Sequence, residues 1–336
     1  MTTNMINKTL SQRNKLLNDY EYSMNSIILE SVPYNYAIGI TNICQLHCPL
    51  CITGLRKQKK ALKYMELELF KEIIEKIKDY ALFVQLFRWG EPLLHPNITE
   101  MLEYCNYYNL MTEISTNFCL SSIDEKLEAM VRYRLKNLTI AFDGVTQSQY
   151  ERYRIGGKLA TIFENLRKMS FYKYKYNSKH PKITLQFLRN KFTGDQIEVI
   201  KSKFKKWGAD EYIVYNMSTI FKDRSKKIAR NWFSDLDIKN RKYMDVDIPL
   251  LRNICGSLYN FMIIEQDGSI TPCCFCTDPQ DDFEKWDNNK ELLELYNSEK
   301  YVEARKMFRE YSSKNKNIVC HDCSVYLSYW EDQLGC

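Results

Sequence analysis

Nowhere in the 336 residues is there a run of uncharged apolar side chains approaching the ~18 that a membrane span needs, so no contact with a membrane is expected. The first 30 residues are polar and mixed, without an apolar core or a small-residue cleavage site. A secretory signal is therefore not expected, and the expected location is cytoplasmic. Neither sign of charge dominates: Lys+Arg 48 against Asp+Glu 42 leaves +6, too weak an excess to argue a nucleic-acid partner. Internal repeats and low-complexity tracts are absent as well. Apolar material is not scarce, since 45% hydrophobic and 13% aromatic residues exclude a chain disordered throughout. The length suits one large domain or two ordinary ones.

The chain is rich in cysteine, with 12. In a reducing compartment, grouped cysteines read as metal ligands or catalytic groups before they read as disulfides. The first group is Cys44-Gln-Leu-His-Cys48-Pro-Leu-Cys51, a C-x3-C-x2-C loop following the apolar run at 36–40. Such spacing lets one loop wrap several thiolates around a compact centre, and three ligands leave one metal position open for chemistry. A zinc loop completed by His47 or a remote residue, or plain buried thiols, are the other readings.

From residue 36 the pattern alternates. Strand-like runs at 36–40, 81–89, 111–116, 138–142, 183–188 and 212–215 are separated by helical patterns at 66–80, 98–107, 123–133, 159–173 and 195–207. Six β/α units predict an α/β fold with a parallel sheet, either an open barrel or a doubly wound sheet, with chemistry at the C-terminal strand ends. The division expected is a polar extension over 1–33, a β/α core over 34–220, a charged helical bridge over 221–250, and a smaller unit over 251–336. That last unit opens on a hairpin signal, with 261–265 and 269–272 flanking Gln266-Asp267-Gly268, and continues into helical stretches at 289–296 and 299–311.

The chain resembles the radical S-adenosylmethionine (radical SAM) enzymes, in which a C-x3-C-x2-C loop after the first barrel strand holds a [4Fe–4S] cluster. The resemblance makes Cys44, Cys48 and Cys51 its ligands and predicts a partial (β/α)6 TIM-like barrel; the residue before the third cysteine, often aromatic in the family, is here Leu50. Gly90-Glu91-Pro92 at the second strand end looks like the family's motif for the methionine ammonium, a role in which a carboxylate gives a charge-assisted hydrogen bond. Ser115 and Asn117 at the third strand end, Asp143 at the fourth, Arg154 for the SAM carboxylate and Gln186 for the ribose complete the implied cofactor contacts. Tyr150 and Gly156-Gly157 belong to the same pattern.

A second set, Cys255, Cys273, Cys320 and Cys323, with G-x4-C and C-x2-C spacing, is similar to the C-terminal SPASM domains or their shortened twitch form. It implies one auxiliary [4Fe–4S] cluster, with a four-cysteine zinc site as the other reading. Tyr329 stands where the full-length SPASM pattern has a further cysteine. Cys119, Cys274, Cys276 and Cys336 are left as candidate hydrogen donors, and the last three as the residues a second auxiliary cluster would recruit.

In this family reductive cleavage of SAM gives a 5′-deoxyadenosyl radical that removes a substrate hydrogen atom. With only ~35 residues before the first strand, too few for a small peptide-binding domain, the expected reaction is oxidation or epimerisation of a small polar metabolite, such as a sugar or aminocyclitol alcohol. The alternative is a peptide maturase, either an epimerase or a thioether-forming enzyme. A non-catalytic iron–sulfur electron carrier is the reading from another class. A flavodoxin or ferredoxin is the expected electron donor. The basic run Arg56-Lys57-Gln58-Lys59-Lys60 reads as a solvated turn or as a landing site for a substrate phosphate.

Overall fold

The computed structural model describes residues 9–217, 231–233, 254–310, 318–323 and 326. Cys336, Tyr329 and most of the 221–250 bridge lie outside the described residues. In chain order the elements are α1 (Leu10–Ser23), β1 (Asn35–Ile38), α2 (Leu67–Ile77), β2 (Phe83–Gln85), α3 (Ile98–Tyr107), β3 (Thr112–Thr116), α4 (Asp124–Arg132), β4 (Asn137–Ala141), α5 (Gln147–Tyr153), α6 (Leu159–Lys175), β5 (Lys182–Arg189), α7 (Ile197–Lys203) and β6 (Glu211–Asn216). Strands β7 (Phe261–Ile264), β8 (Ser269–Thr271) and β9 (Glu284–Lys285) follow, with a helix at Glu299–Arg309. The α/β class and the β/α alternation are those the sequence predicts, with α5 as an unpredicted addition.

Two compact units divide the chain, and the cut does not fall at the expected 220–251 boundary. One comprises the described residues of Met1–Ile40, Lys59–Arg88 and Ile248–Cys336, the other those of Thr41–Gln58 and Trp89–Asp247. In the first unit β1 pairs in parallel with β2 on one side and with β7 on the other, and β7–β8–β9 runs antiparallel. The residues after 254 thus extend the sheet of β1 instead of forming a separate sheet. Gly268, at φ +82, makes the β7–β8 turn that the Asp-Gly pair predicts. The polar extension is also anchored here. Asn14 exchanges two hydrogen bonds with the Val32 backbone, and Asn18 donates to the Tyr259 carbonyl.

In the second unit β3–β4–β5–β6 form a parallel sheet. Its register puts Ile114, Leu138 and Ile183 in one row and Ile140 and Leu185 in the next, all fully buried. Helices α3, α4 and α6 bury apolar residues of their own, among them Met101, Met130 and Leu166. The opposite face is polar: Ser115 aligns with Thr139 and Thr184, and Gln186 lies one row on, all half-buried. Parallel sheets are usually apolar on both faces. A polar face running toward the C-terminal strand ends is surface set aside for a ligand.

Candidate active site

The cysteine loop lies in the second unit and is folded onto itself. Leu55 N–H donates to the Cys51 carbonyl at 2.8 Å, and Cys51 N–H to that of Cys48 at 3.2 Å. Gly54 permits this, because a Cβ there would stand 2.5 Å from the Cys48 backbone. His47 N–H donates to the Ile155 carbonyl at 3.0 Å, tying the loop to the chain after α5. Cys48 is buried and Cys44 and Cys51 are half-buried, within an apolar cluster of Leu46, Leu50, Tyr153, Met217, Trp232 and Phe233.

Two donors face the sulfurs. Asn117 Nδ2 stands 3.7 Å from Cys44 Sγ, and Arg154 Nη1 stands 3.7 Å from Cys48 Sγ. Burial pushes the Cys44 thiol up to about 12, and the neighbouring Cys48 and Cys51 add to the shift. Burial likewise raises Cys48, against the pull of Arg154. Bound iron reverses that balance, because a metal cation stabilises the thiolate it binds. Among the described residues no three His, Cys, Asp or Glu side chains close to the spacing of a single metal ion. A cluster places its irons at separate corners and so holds its thiolates farther apart than one zinc does. The loop fits the cluster.

Glu91 opens the turn Pro92–Leu94 and is 2% exposed. Its Oε1 accepts from Leu93 N–H at 3.1 Å and from Thr116 Oγ1 at 2.6 Å, while Oε2 accepts from Asn117 N–H at 2.7 Å. Burial raises this carboxyl, and the three hydrogen bonds pull it back. Among the described residues Glu91 makes no ion pair. A buried carboxylate held this way suits an ammonium ligand. Gly90 lets the chain pass close to the loop, since a Cβ there would stand 2.3 Å from the Thr41 carbonyl oxygen.

Asn117 is saturated within the protein. It exchanges hydrogen bonds with Gln45 at 3.0 and 3.3 Å, and its Oδ1 accepts from Cys119 N–H at 2.9 Å. Its geometry ties β3 to the cysteine loop instead of leaving the amide free for a ligand. Asp143 is fully buried, accepting from Arg154 Nε at 2.5 Å and from Leu188 N–H at 2.7 Å. It holds Arg154 and has no surface to offer a cofactor. Burial works against the Arg154 charge, but Asp143 and Cys48 outweigh it and hold the guanidinium protonated. Ser115 and Gln186 share the polar sheet face. Cys119 Sγ lies 2.8 Å from the hydroxyl of buried Tyr150. Phe118, between Asn117 and Cys119, has φ +56, a strained conformation for a bulky residue. Beyond β5 and β6 a cavity of about 410 Å³ is lined by Arg189, Asn190, Phe192, Met217, Trp232 and Phe233.

Thr116 lies within the strand-end stretch Ile114-Ser115-Thr116-Asn117 and Gln45 within the cysteine loop, but neither is marked by the sequence for a role of its own. Both are polar residues beside ones it singled out, and only the folded approach of three segments gives them their roles. Four residues of the basic run have partners within the protein. Arg56 donates to the Cys44 carbonyl at 2.8 Å, Gln58 donates to Asn42 and Thr53, Lys59 pairs with Asp278, and Lys60 with Asp282.

In the first unit, Cys255, Cys273, Cys320 and Cys323 sense one another. Burial pushes Cys255 up to about 11, with Cys273 and Cys323 adding to the shift, and Cys320 rises from burial and the same neighbours. Cys276, named above both as a hydrogen-donor candidate and as a cluster recruit, lies with this group, 1% exposed, with its sulfur 3.8 Å from Cys273 Sγ. Cys274 is exposed on the same turn. Arg88, which nothing in its local sequence marks, donates to the carbonyls of Cys273, Cys274 and Cys276 at 2.8–3.2 Å and pairs with buried Glu265 at 3.2 Å.

The model of the radical SAM superfamily matches residues 38–179, and that of the iron–sulfur cluster-binding SPASM domain matches residues 255–324. The chain is a radical SAM enzyme with a C-terminal SPASM domain. Its cofactors are S-adenosylmethionine and [4Fe–4S] clusters. This radical SAM chain is 30% identical over 130 residues to the PqqA peptide cyclase of Gluconobacter oxydans (strain 621H), an alignment covering 38% of this chain and 35% of that one. It is 22% identical over 273 residues to the antilisterial bacteriocin subtilosin biosynthesis protein AlbA of Bacillus subtilis (strain 168), covering 72% and 55%. It therefore spans about one third and about half of the lengths of these curated relatives. Among solved structures it shares the fold of Streptococcus suis SuiB, seen bound to S-adenosylmethionine and to the precursor peptide SuiA, with TM-score 0.63 and 17% identity over 94% of this chain and about 75% of SuiB. No helix among the described residues is long and apolar enough to cross a membrane.

Proposed function

We propose that this radical SAM enzyme modifies a peptide, and not the small polar metabolite that the sequence alone favours. The observation that carries it is the kind of relative the chain has: a peptide cyclase and a bacteriocin biosynthesis protein. With residues 34–220 as the catalytic core and 251–336 as the auxiliary-cluster domain, Cys44, Cys48 and Cys51 hold the catalytic cluster. Bound together and given one electron by the donor, cluster and SAM would supply the means to abstract a hydrogen atom from an unactivated C–H bond of the substrate.

The chain's own residues place and insulate that chemistry. Glu91 receives the methionine ammonium, and Arg154, aimed by Asp143, receives the carboxylate. Ser115 and Gln186 offer hydrogen bonds from the polar sheet face. Gln45 and Asn117 lock the loop to the end of β3, and Thr116 with the Asn117 amide holds Glu91, so that donors and sulfurs keep their spacing when a ligand enters. Leu50, Tyr153 and Met217 exclude water beside the sulfurs, which protects a reactive intermediate from quenching. The cavity beyond β5 and β6 suits one or two peptide side chains, with Phe192 and Trp232 as apolar walls. The expected compartment is the cytoplasm, with flavodoxin or ferredoxin as donor.

The test uses synthetic peptides encoded by short reading frames beside this gene, deuterated at Cα, with reconstituted enzyme, SAM and dithionite. Deuterium in 5′-deoxyadenosine together with a changed peptide mass or retention supports the proposal. Deuterium transfer from a labelled sugar or aminocyclitol alcohol, with every such peptide inert, overturns it.

A further inference from the structure

Among the described residues the second cysteine group holds five buried or half-buried sulfurs, with Cys274 exposed beside them, one more than the four thiolates of a [4Fe–4S] cluster. Cys255, Cys273, Cys320 and Cys323 carry the expected spacing, and Cys276 is buried among them. The Cys273 and Cys276 sulfurs stand 3.8 Å apart. Two thiolates bound to a single metal ion at about 2.3 Å with a tetrahedral angle lie about 3.8 Å apart. Thiolates on different corners of a cluster stand farther apart, because their irons are themselves separated.

Protein groups hold the backbone of this turn. Arg88 gathers the carbonyls of Cys273, Cys274 and Cys276, and buried Glu265 holds the guanidinium in turn. Gly39 leaves room for that pair, since a Cβ there would stand 3.0 Å from Glu265 Oε2 and 3.1 Å from Arg88 Cβ.

We propose that Cys273 and Cys276 serve the same iron of the auxiliary cluster as alternative ligands, so that either thiol alone completes the site. This rests on the auxiliary-cluster reading. Cys255, Cys320 and Cys323 then take the other three irons.

The test is anaerobic reconstitution of the full chain with iron and sulfide, followed by iron and sulfide analysis and electron paramagnetic resonance of the reduced protein. Wild type is expected to hold about eight irons per chain, as two [4Fe–4S] clusters require. Cys273→Ala and Cys276→Ala should each keep about eight, while the double variant and Cys255→Ala should fall to about four, with loss of the auxiliary signal. Loss in Cys273→Ala with full loading in Cys276→Ala would overturn the proposal, as would loss in both single variants or a Cys273–Cys276 disulfide in the loaded protein. Wild type holding only about four irons would defeat the auxiliary-cluster reading itself, a different outcome. Should the double alanine variant lose the catalytic cluster too, the Cys273→Ser, Cys276→Ser double variant, closer in volume, repeats the measurement.

Discussion

Arg154 Nε stands 2.5 Å from Asp143 Oδ2, and the same guanidinium reaches to 3.7 Å from Cys48 Sγ. The fully buried carboxylate thus aims the arginine along the cysteine loop while satisfying the Leu188 amide. Asp143→Asn keeps the volume but gives up the charge that orients Arg154. Its KM for SAM in 5′-deoxyadenosine formation should rise by about tenfold, the worth of one charge-assisted hydrogen bond. Iron content should stay at the wild-type value. An unchanged KM would remove Asp143 from its positioning role.

Burial raises the Glu91 carboxyl above its ordinary 4.5. The folded chain therefore binds this proton at a higher pH than the unfolded chain does. Its ionisation costs stability as pH rises through that window, and the cost is relieved as pH falls through it. Glu91→Gln removes the charge at the price of the hydrogen bond from Asn117 N–H. Chemical denaturation at pH 7 should find the variant within about 1 kcal/mol of wild type, with the difference moving in favour of wild type as pH approaches 5. SAM binding, followed by calorimetry, should weaken by about tenfold or more.

Local pattern carried much of the fold. The 98–107 helical pattern is α3 to the residue, and the 111–116 and 138–142 runs lie within one residue of β3 and β4. The run at 81–89 is longer than β2, Phe83–Gln85, because the chain leaves the strand to place Arg88 and Glu91. Helix α5 was missed: it is one short polar stretch whose buried residues are only Tyr150 and Tyr153. Of the candidate site, the cysteine loop stands out in the sequence because its spacing is local, whereas Glu91, Ser115 and Arg154 enter only through the family resemblance. The roles of Asp143 and Asn117 were not legible, since each depends on a partner brought in by tertiary folding. The pairing of β7 with β1 joins segments more than 200 residues apart, and no periodicity encodes it.

Cys119 and Tyr150 form a thiol–phenol pair 2.8 Å apart. Burial raises the Cys119 thiol, and the Tyr150 hydrogen bond draws it back down. In Tyr150→Phe the thiol should titrate higher, so alkylation of Cys119 by iodoacetamide at pH 8.5 should slow severalfold by mass spectrometry. Global stability should fall by about 1 kcal/mol. Faster alkylation would mean that Tyr150 acts as a cover and not as a hydrogen-bond partner.

Arg305 is fully buried, donating to the carbonyls of Leu258 and Tyr296 at 2.8 Å and to Asn297 at 3.0 Å, among the rings of Tyr259, Tyr296 and Tyr301. Arg305→Leu strips several buried acceptors of their donors, at about 3 kcal/mol in urea denaturation. Arg305→Lys should recover only part of this, because an ammonium cannot span the same fork.

The most direct measurement is 5′-deoxyadenosine formation, by mass spectrometry, from the reconstituted full chain with SAM and dithionite, beside Cys48→Ala. Product in wild type and none in the variant is the expected result. Wild-type protein loaded with about eight irons that yields no more 5′-deoxyadenosine than Cys48→Ala, with and without the candidate peptides, would contradict radical SAM catalysis by this chain.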